Sequence, residues 1–284
     1  MSASLRLIQD VGFDTSLLST GYRIEMDSRQ HDSLTIEQFT RQALPFARLP
    51  GHSTSMDVLV EMASPNVNME MLDVACGPGL VACHFASKVR HVTGIDLTPE
   101  MLRQARDLQT TRGIENAEWI EGHADRLPFD EASFDLVVTR YSMHHFQNPD
   151  AVLREMVRVC KPGGRVLVAD VSLPQEHVEH YDELERYRDP SHVHALSRGE
   201  FADALVSSGL RSLRFAEYKV DLAVEEQLAA LVPVKGGADR IRAILRDDVE
   251  RNQCGVAAYY DGEVLRYAIP IVVGVGTVAD PHGQ

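Results

Sequence analysis

The run Met71-Leu72-Asp73-Val74-Ala75-Cys76-Gly77-Pro78-Gly79-Leu80 constrains this chain more than any other stretch. Apolar residues Met69, Met71, Leu72 and Val74 stop at a turn of small residues, and a helix-like pattern follows at once. A strand, a tight glycine turn and a helix N-terminus form the device by which open α/β sheets bring backbone against a nucleotide. Gly77 and Gly79 lack Cβ, so backbone can approach a ligand there and adopt positive φ freely. Alone such a turn is weakly specific, because small residues join strands to helices in many folds.

Four further signals follow in order. His91-Val92-Thr93-Gly94-Ile95-Asp96 reads as a strand ending in an acid, 17 positions past Gly79. Thr98 with Pro99 then opens a helix. A carboxylate at the tip of the second strand of a βαβ unit is placed to accept both hydroxyls of a ribose. The bland alternative is an acid that only starts the helix. Gly122-His123-Ala124-Asp125-Arg126-Leu127-Pro128-Phe129 follows the strand-like Glu118–Glu121, and an acid there can accept from an exocyclic amine such as that of adenine. The apolar block Ser133–Phe146 carries Arg140, Tyr141, His144 and His145 at its end, and Val159–Gly164 stops a helix before the strand Arg165–Val171.

These blocks resemble the class I S-adenosylmethionine-dependent methyltransferases, and most of all the ubiquinone/menaquinone-type C-methyltransferases and their small-molecule relatives. The resemblance covers Leu34 to Val171 with specific motifs and continues more loosely to the C-terminus. It implies a Rossmann-like, seven-stranded, mostly parallel α/β sheet with helices on both faces, an antiparallel edge hairpin and an N-terminal helical lid. It also implies S-adenosyl-L-methionine as cofactor, with S-adenosyl-L-homocysteine as product. Carried over by position, Asp73, Ala75, Gly77 and Gly79 line the methionine and sugar side. Asp96 binds the ribose, Leu97 and Met101 pack on the adenine, and Ala124 and Asp125 hold its amino group. Arg140 offers backbone to the aminoacyl part, and Phe39 of the lid covers the cofactor. Ala75 departs from the glycine that many members carry, although alanine also occurs in the quinone-type group.

Composition narrows the partner. The chain has 284 residues, 44% hydrophobic and 25% charged, near the globular average. No run approaches the ~20 apolar residues that span a bilayer, and the N-terminus lacks a signal layout. Four scattered cysteines (Cys76, Cys83, Cys160 and Cys254) form neither a disulfide framework nor a zinc site. The chain therefore reads as cytoplasmic. A net charge of −14, with basic residues dispersed, weighs against nucleic acid and against an anionic membrane surface. The expected partner is a small-molecule acceptor, and a homodimer is within the range of the resemblance.

Along the chain, residues 33–48 read as an amphipathic helix with Leu34, Phe39, Ala43 and Phe46 on one face. Its start, Ser33 to Glu37, has the spacing of a capping box. Strands and helices then alternate to residue 171, which implies a parallel sheet. Past it, 175–187 is helical, 188–194 a loop, 211–221 a strand, 223–231 and 238–251 helical, and 264–275 β-rich. This divides the chain into an N-terminal extension and helical lid (1–50) and a methyltransferase domain (51–284). Helical insertions follow strand five and precede the last strand.

Methyl transfer needs positioning first, and a general base only where the acceptor carries a proton of high pKa. The candidate base is His145 or His144, just past the fourth strand; the alternative role of the pair is to support the cofactor site. Tyr141, Tyr181, Tyr187, Arg188 and His192 are candidate acceptor-pocket residues, against a plain surface reading. His177, His180, His192 and His194 could suggest a metal, but they lack a compact ligand order, and none is expected. The expected function is methyl transfer to a small molecule at carbon, nitrogen or oxygen. The alternative is a protein of this fold that binds S-adenosylmethionine without transferring the methyl.

Overall fold

The apolar run before the glycine turn forms strand β1 (Glu70–Val74), and its alternation decides how the layers assemble. Met71 packs into one buried cluster and Leu72 and Val74 into another, so β1 divides two cores. The same period of two places Leu136 and Val138 on the first side and Val137 on the second. A strand with both faces buried belongs at the centre of a sheet covered by helices. The structure, a computed structural model, describes residues 27–48 and 55–279, with backbone only over 44–48. Residues 1–26 of the expected N-terminal extension and the side chain of Phe46 lie outside that range.

Strand β1 pairs in parallel with β2 (His91–Asp96) and β4 (Phe134–Arg140). Beyond β2 lies β3 (Ala117–Glu121), and beyond β4 lies β5 (Cys160–Val171), also parallel. Strand β8 (Val264–Thr277) runs antiparallel between β5 and β6 (Arg211–Ala223), and a short β7 (Tyr259–Asp261) folds back on β8. The order is β3-β2-β1-β4-β5-β8-β6. The sheet thus has eight strands, not the expected seven. The additional strand is the three-residue return of a hairpin, a length with no periodicity to read in sequence.

Helices α1 (Ser28–Arg48), α2 (Met56–Ala63), α3 (Leu80–Phe85), α4 (Pro99–Thr111) and α5 (Pro149–Val159) belong to the first half. After β5 come α6 (Gln175–Arg188) and α7 (Arg198–Ser207), and between β6 and β7 come α8 (Val224–Ala230) and α9 (Gly237–Arg251). Among the described residues no helix is long and apolar enough to cross a membrane.

Helix α1 starts five residues before the expected cap. Ser33 sits inside it and its hydroxyl donates to the Arg29 carbonyl at 2.8 Å, while Glu37 pairs with Arg41. Serine in a helix interior returns its hydroxyl to the carbonyl one turn back, and the local pattern then mimics a cap. A capping box does form at α7, where Ser197 Oγ accepts from Glu200 N at 3.2 Å and Glu200 accepts from Ser197 N at 2.8 Å. Helix α1 crosses the carboxyl ends of the strands, tied down by Gln38 Nε2 donating to the Val232 carbonyl at 3.1 Å and packed against α4 and α8.

Candidate active site

At the end of β1 the chain turns through three residues of positive φ: Ala75 (53°), Gly77 (53°) and Gly79 (76°). The turn is held by Cys76 N donating to the Ile95 carbonyl at 3.0 Å and Gly79 N to the Cys76 carbonyl at 3.0 Å. Ala75 is the one residue of the three with a Cβ to strain. Ala75→Gly is expected to raise stability by about 0.5–1 kcal/mol. Denaturant midpoints at unchanged slope would read it.

Asp96 locks this turn to the next βα unit. One carboxylate oxygen accepts from Gly77 N and the other from Thr98 N, both at 2.8 Å. Burial raises its pKa, against the pull of these two N–H groups. Between the turn, α4, the segment after β3 and α1 lies a cavity of about 870 Å³. That is the size of a site for a nucleoside-sized ligand. Asp96, Leu97 and Met101 line one wall, Ala124 and Asp125 a second, and Ala75, Gly77 and Arg140 the floor. Helix α1 closes the cavity with His31, Asp32, Thr35 and Phe39. Asp32 reaches across to His123, 3.8 Å apart. His31 Nε2 donates to the His145 carbonyl at 2.8 Å.

Two of the expected cofactor residues stand behind this wall instead of on it. Asp73 is 2% exposed and accepts from Ala82 N of α3 at 2.9 Å. Its place in β1 turns it toward the α2 and α3 side of the sheet. Gly79 packs against protein, because a Cβ there would lie 2.6 Å from the Trp119 ring and 2.9 Å from Ala105. At Gly77 a Cβ would meet nothing within 4 Å, so the space before it belongs to the cavity.

A smaller chamber adjoins the cavity, bounded by α1, α6, β6 and β8. Phe39, Tyr141 and His145 line both spaces. Its own walls include Val171, Val220, Leu222, Ile269 and Ile271, with His144, Asp170, Tyr181, Arg188, Asp189 and Gln227 among them. Of the expected pocket residues, Tyr141, Tyr181 and Arg188 are brought here, and Tyr187 and His192 are not. One helical step from Arg188, Tyr187 turns toward α9, its ring 5.8 Å from the Arg240 guanidinium. His192 is buried one layer back, with Nε2 donating to Asp182 at 2.6 Å. His194 reaches the other oxygen of Asp182 at 2.8 Å, and His177 bonds the Gln253 carbonyl, so His177 stands apart from the His192 and His194 pair.

The two histidines past β4 differ in environment. His144 Nδ1 lies 2.5 Å from Asp170 Oδ1, and Asp170 also accepts from Met143 N at 2.6 Å and Val171 N at 2.7 Å. Burial lowers the pKa of His144, but the Asp170 carboxylate outweighs it and the net shift is upward. Among the described residues no carboxylate is hydrogen-bonded to His145. Its Nδ1 is 3.2 Å from Ser191 Oγ and its ring stands edge-on to Phe39 at 5.0 Å. Burial and the neighbouring His144 push its pKa well below the usual value. Arg140 extends beneath Tyr141, its Nη2 donating to the Tyr141 hydroxyl at 2.8 Å and its guanidinium 4.1 Å from the ring centroid. The Tyr141 and Tyr218 hydroxyls are 2.8 Å apart.

Residues 72–168 match the family described as "Methyltransferase domain". An uncharacterized methyltransferase of Bacillus subtilis, YcgJ, is 35% identical over 148 residues, 51% of this chain and 58% of that protein. The YcgJ crystal structure superposes with a TM-score of 0.73 at 25% identity, covering 81% of this chain and 99% of that one. UbiE of Pseudomonas putida, a ubiquinone/menaquinone biosynthesis C-methyltransferase, is 27% identical over 188 residues, 64% of this chain and 70% of that protein. The chain belongs to the S-adenosylmethionine-dependent methyltransferase family.

The methyltransferase cavity fits that cofactor by its chemistry. Carboxylates stand at the end of β2 and in the loop after β3, Asp96 and Asp125, as acceptors for hydroxyls and an amine. Leu97 and Met101 supply apolar surface between them, and the open face of Gly77 admits close approach of a ligand. Sequence reasoning missed Asp170, Asp189 and Gln227 in the methyltransferase chamber. Asp170 had a readable signal, an acid at the carboxyl end of the fifth strand. Asp189 and Gln227 had none, because only the packing of α6 and α8 places them.

Proposed function

We propose that the protein transfers the methyl group of S-adenosylmethionine to a small-molecule acceptor, at carbon, nitrogen or oxygen. The observation that carries this reading is the junction at Phe39, Tyr141 and His145, where the cofactor-sized cavity meets the chamber. Within it, Asp96 takes the ribose hydroxyls, Leu97 and Met101 the adenine faces, and Ala124 and Asp125 its amino group. Ala75, Gly77 and Arg140 face the aminoacyl end. Phe39, on α1, acts as the lid over cofactor and junction, and residues 51–284 form the transferase body. When bound, the cofactor supplies an electrophilic methyl on a sulfonium. The protein's own work is to orient the acceptor and exclude water. The C-methylation in the name of UbiE supports carbon among the acceptor atoms, and the net charge of −14 favours a small molecule over a nucleic acid.

The test is incubation with methyl-labelled cofactor and the small-molecule fraction of a cell extract, followed by chromatography. Label in a small molecule is the expected outcome. Cofactor binding with no label transferred to any fraction would make the protein a binding module of this fold.

Asp96→Ala should weaken cofactor binding by about 30-fold or more, from loss of charge-assisted bonds worth about 2–3 kcal/mol together. It also leaves Gly77 N and Thr98 N without their acceptor, so the ligand-free protein should melt a few degrees earlier. Calorimetry with S-adenosylhomocysteine reads the first effect and thermal unfolding the second. Unchanged affinity would remove Asp96 from the site.

A further inference from the structure

Two carboxylates, Asp170 and Asp189, line the chamber together with one guanidinium, Arg188, which is paired to a third, Glu185. Arg188 Nε donates to Glu185 Oε2 at 2.6 Å; among the described residues the other groups of opposite sign are His144 and His145 on the chamber wall and Arg140, whose Nη2 donates to the Tyr141 hydroxyl. Gln227 is 3% exposed and lines the chamber, yet its Oε1 has no partner among the described residues. Glu185 Oε1, 0% exposed, is likewise unpaired. A buried acceptor without a donor is destabilising. The chamber wall therefore lacks a donor for Gln227 Oε1, while its aliphatic residues call for an apolar body.

The His144–Asp170 pair adds a proton acceptor. With Nδ1 donating to the carboxylate, Nε2 of the neutral ring carries the lone pair, and no described group bonds it. His144 itself lines the chamber. A base oriented by a carboxylate through its other nitrogen is the arrangement that activates nucleophiles in unrelated folds.

We propose that the chamber takes its methyl acceptor as an ammonium on a compact apolar body, and that His144, held by Asp170, receives the ammonium proton. The inference rests on the methyl-transfer reading above and assigns the acceptor atom as nitrogen. The ammonium gives one proton to His144 Nε2. The freed electron pair forms the new N–C bond, the S–C bond breaks with its pair on sulfur, and the proton passes to water. Moving the proton to His144 carries one positive charge across the chamber and creates no new charge. A phenol in the same place would have to become an anion beside the Asp170 and Asp189 carboxylates. Facing His144 are Asp170 from β5, Glu185 and Arg188 from α6, His145 beside it and His192 from the following loop, with ring centroids 4.2 Å and 5.6 Å away for the last two.

Three probes of one shape test this on full-length protein saturated with S-adenosylhomocysteine: isopentylamine, isopentanol and isovalerate. Calorimetry should show the amine bound at least tenfold more tightly than the alcohol, and the carboxylate weakest. Gln227→Leu should weaken the amine several-fold and leave the alcohol unchanged. Ring-nitrogen NMR of the resting protein near pH 8 should show His144 protonated on Nδ1 and bare on Nε2, and Asp170→Asn should abolish that preference. His144→Gln should keep amine binding but lower methyl transfer to the amine about 100-fold, with loss of the pH limb near neutrality. An alcohol or carboxylate bound as tightly as the amine, no binding of any of the three, or a resting His144 protonated on Nε2, overturns the inference and leaves methyl transfer standing. Failure of S-adenosylhomocysteine itself to bind overturns both.

Discussion

Gly79→Ala should cost the fold about 2–5 kcal/mol, the sum of about 1–3 for overpacking and about 1–2 for a Cβ at left-handed φ. The added Cβ would sit 2.6 Å from the Trp119 ring and 2.9 Å from Ala105 Cβ, at a φ of 76°. Neither neighbour can withdraw easily. Trp119 is pinned by Nε1 donating to Gln109 Oε1 at 2.6 Å, and Ala105 is buried in α4. At roughly 2–4 °C per kcal/mol for a domain of this size, the melting temperature should fall by roughly 4–20 °C. Gly77→Ala is the control two residues away. With no atom within 4 Å of its Cβ, it should lose only about 1 kcal/mol of stability while impairing cofactor binding. Trp119 is the single tryptophan, so its fluorescence follows the Gly79 packing directly. Equal melting of the two variants would refute the division of labour between the glycines.

Asp73→Asn should stabilise the ligand-free protein in alkaline solution and not in acid. Burial raises the Asp73 carboxyl from 3.8 to about 7, against the Ala82 N–H that favours its ionised form. Between those values the folded chain keeps a proton that the unfolded chain has released. Wild-type stability therefore declines as pH rises from about 4 to about 7, and the full penalty, about 4 kcal/mol at most, is present above pH 7. Asparagine keeps an oxygen for Ala82 N and never ionises. Melting curves of the two proteins should nearly coincide at pH 4 and separate by several degrees at pH 8. A separation independent of pH would mean that Asp73 is already ionised in the folded state.

Within the site, legibility followed chain distance. Asp96, Leu97, Met101, Ala124 and Asp125 could be placed because each follows directly on a strand, and strand ends in a parallel sheet share one rim. Asp73 and Gly79 belong to the same motif, yet they face away from the cavity. A motif fixes which residues occur together but leaves open which of them packs on protein. Tyr181, Tyr187 and Arg188 share one helix of plain acidic composition, and only its rotation against β8 and α9 separates the two that reach the chamber from the one that does not.

By itself the sequence determined the βα alternation, the glycine turn and the carboxylates at strand ends. These rest on local physics: side-chain periodicity, turn sterics and helix capping act over a few residues. Tertiary structure alone decided that His144 has Asp170 as its partner and His145 does not, that β7 adds an eighth strand, and that Gln227 shares one chamber with His144 and Arg188. Those groups lie up to 83 residues apart (227 − 144 = 83). No local preference acts across that distance. Their electrostatics arise only once packing removes water and brings unlike chain segments within a few ångströms.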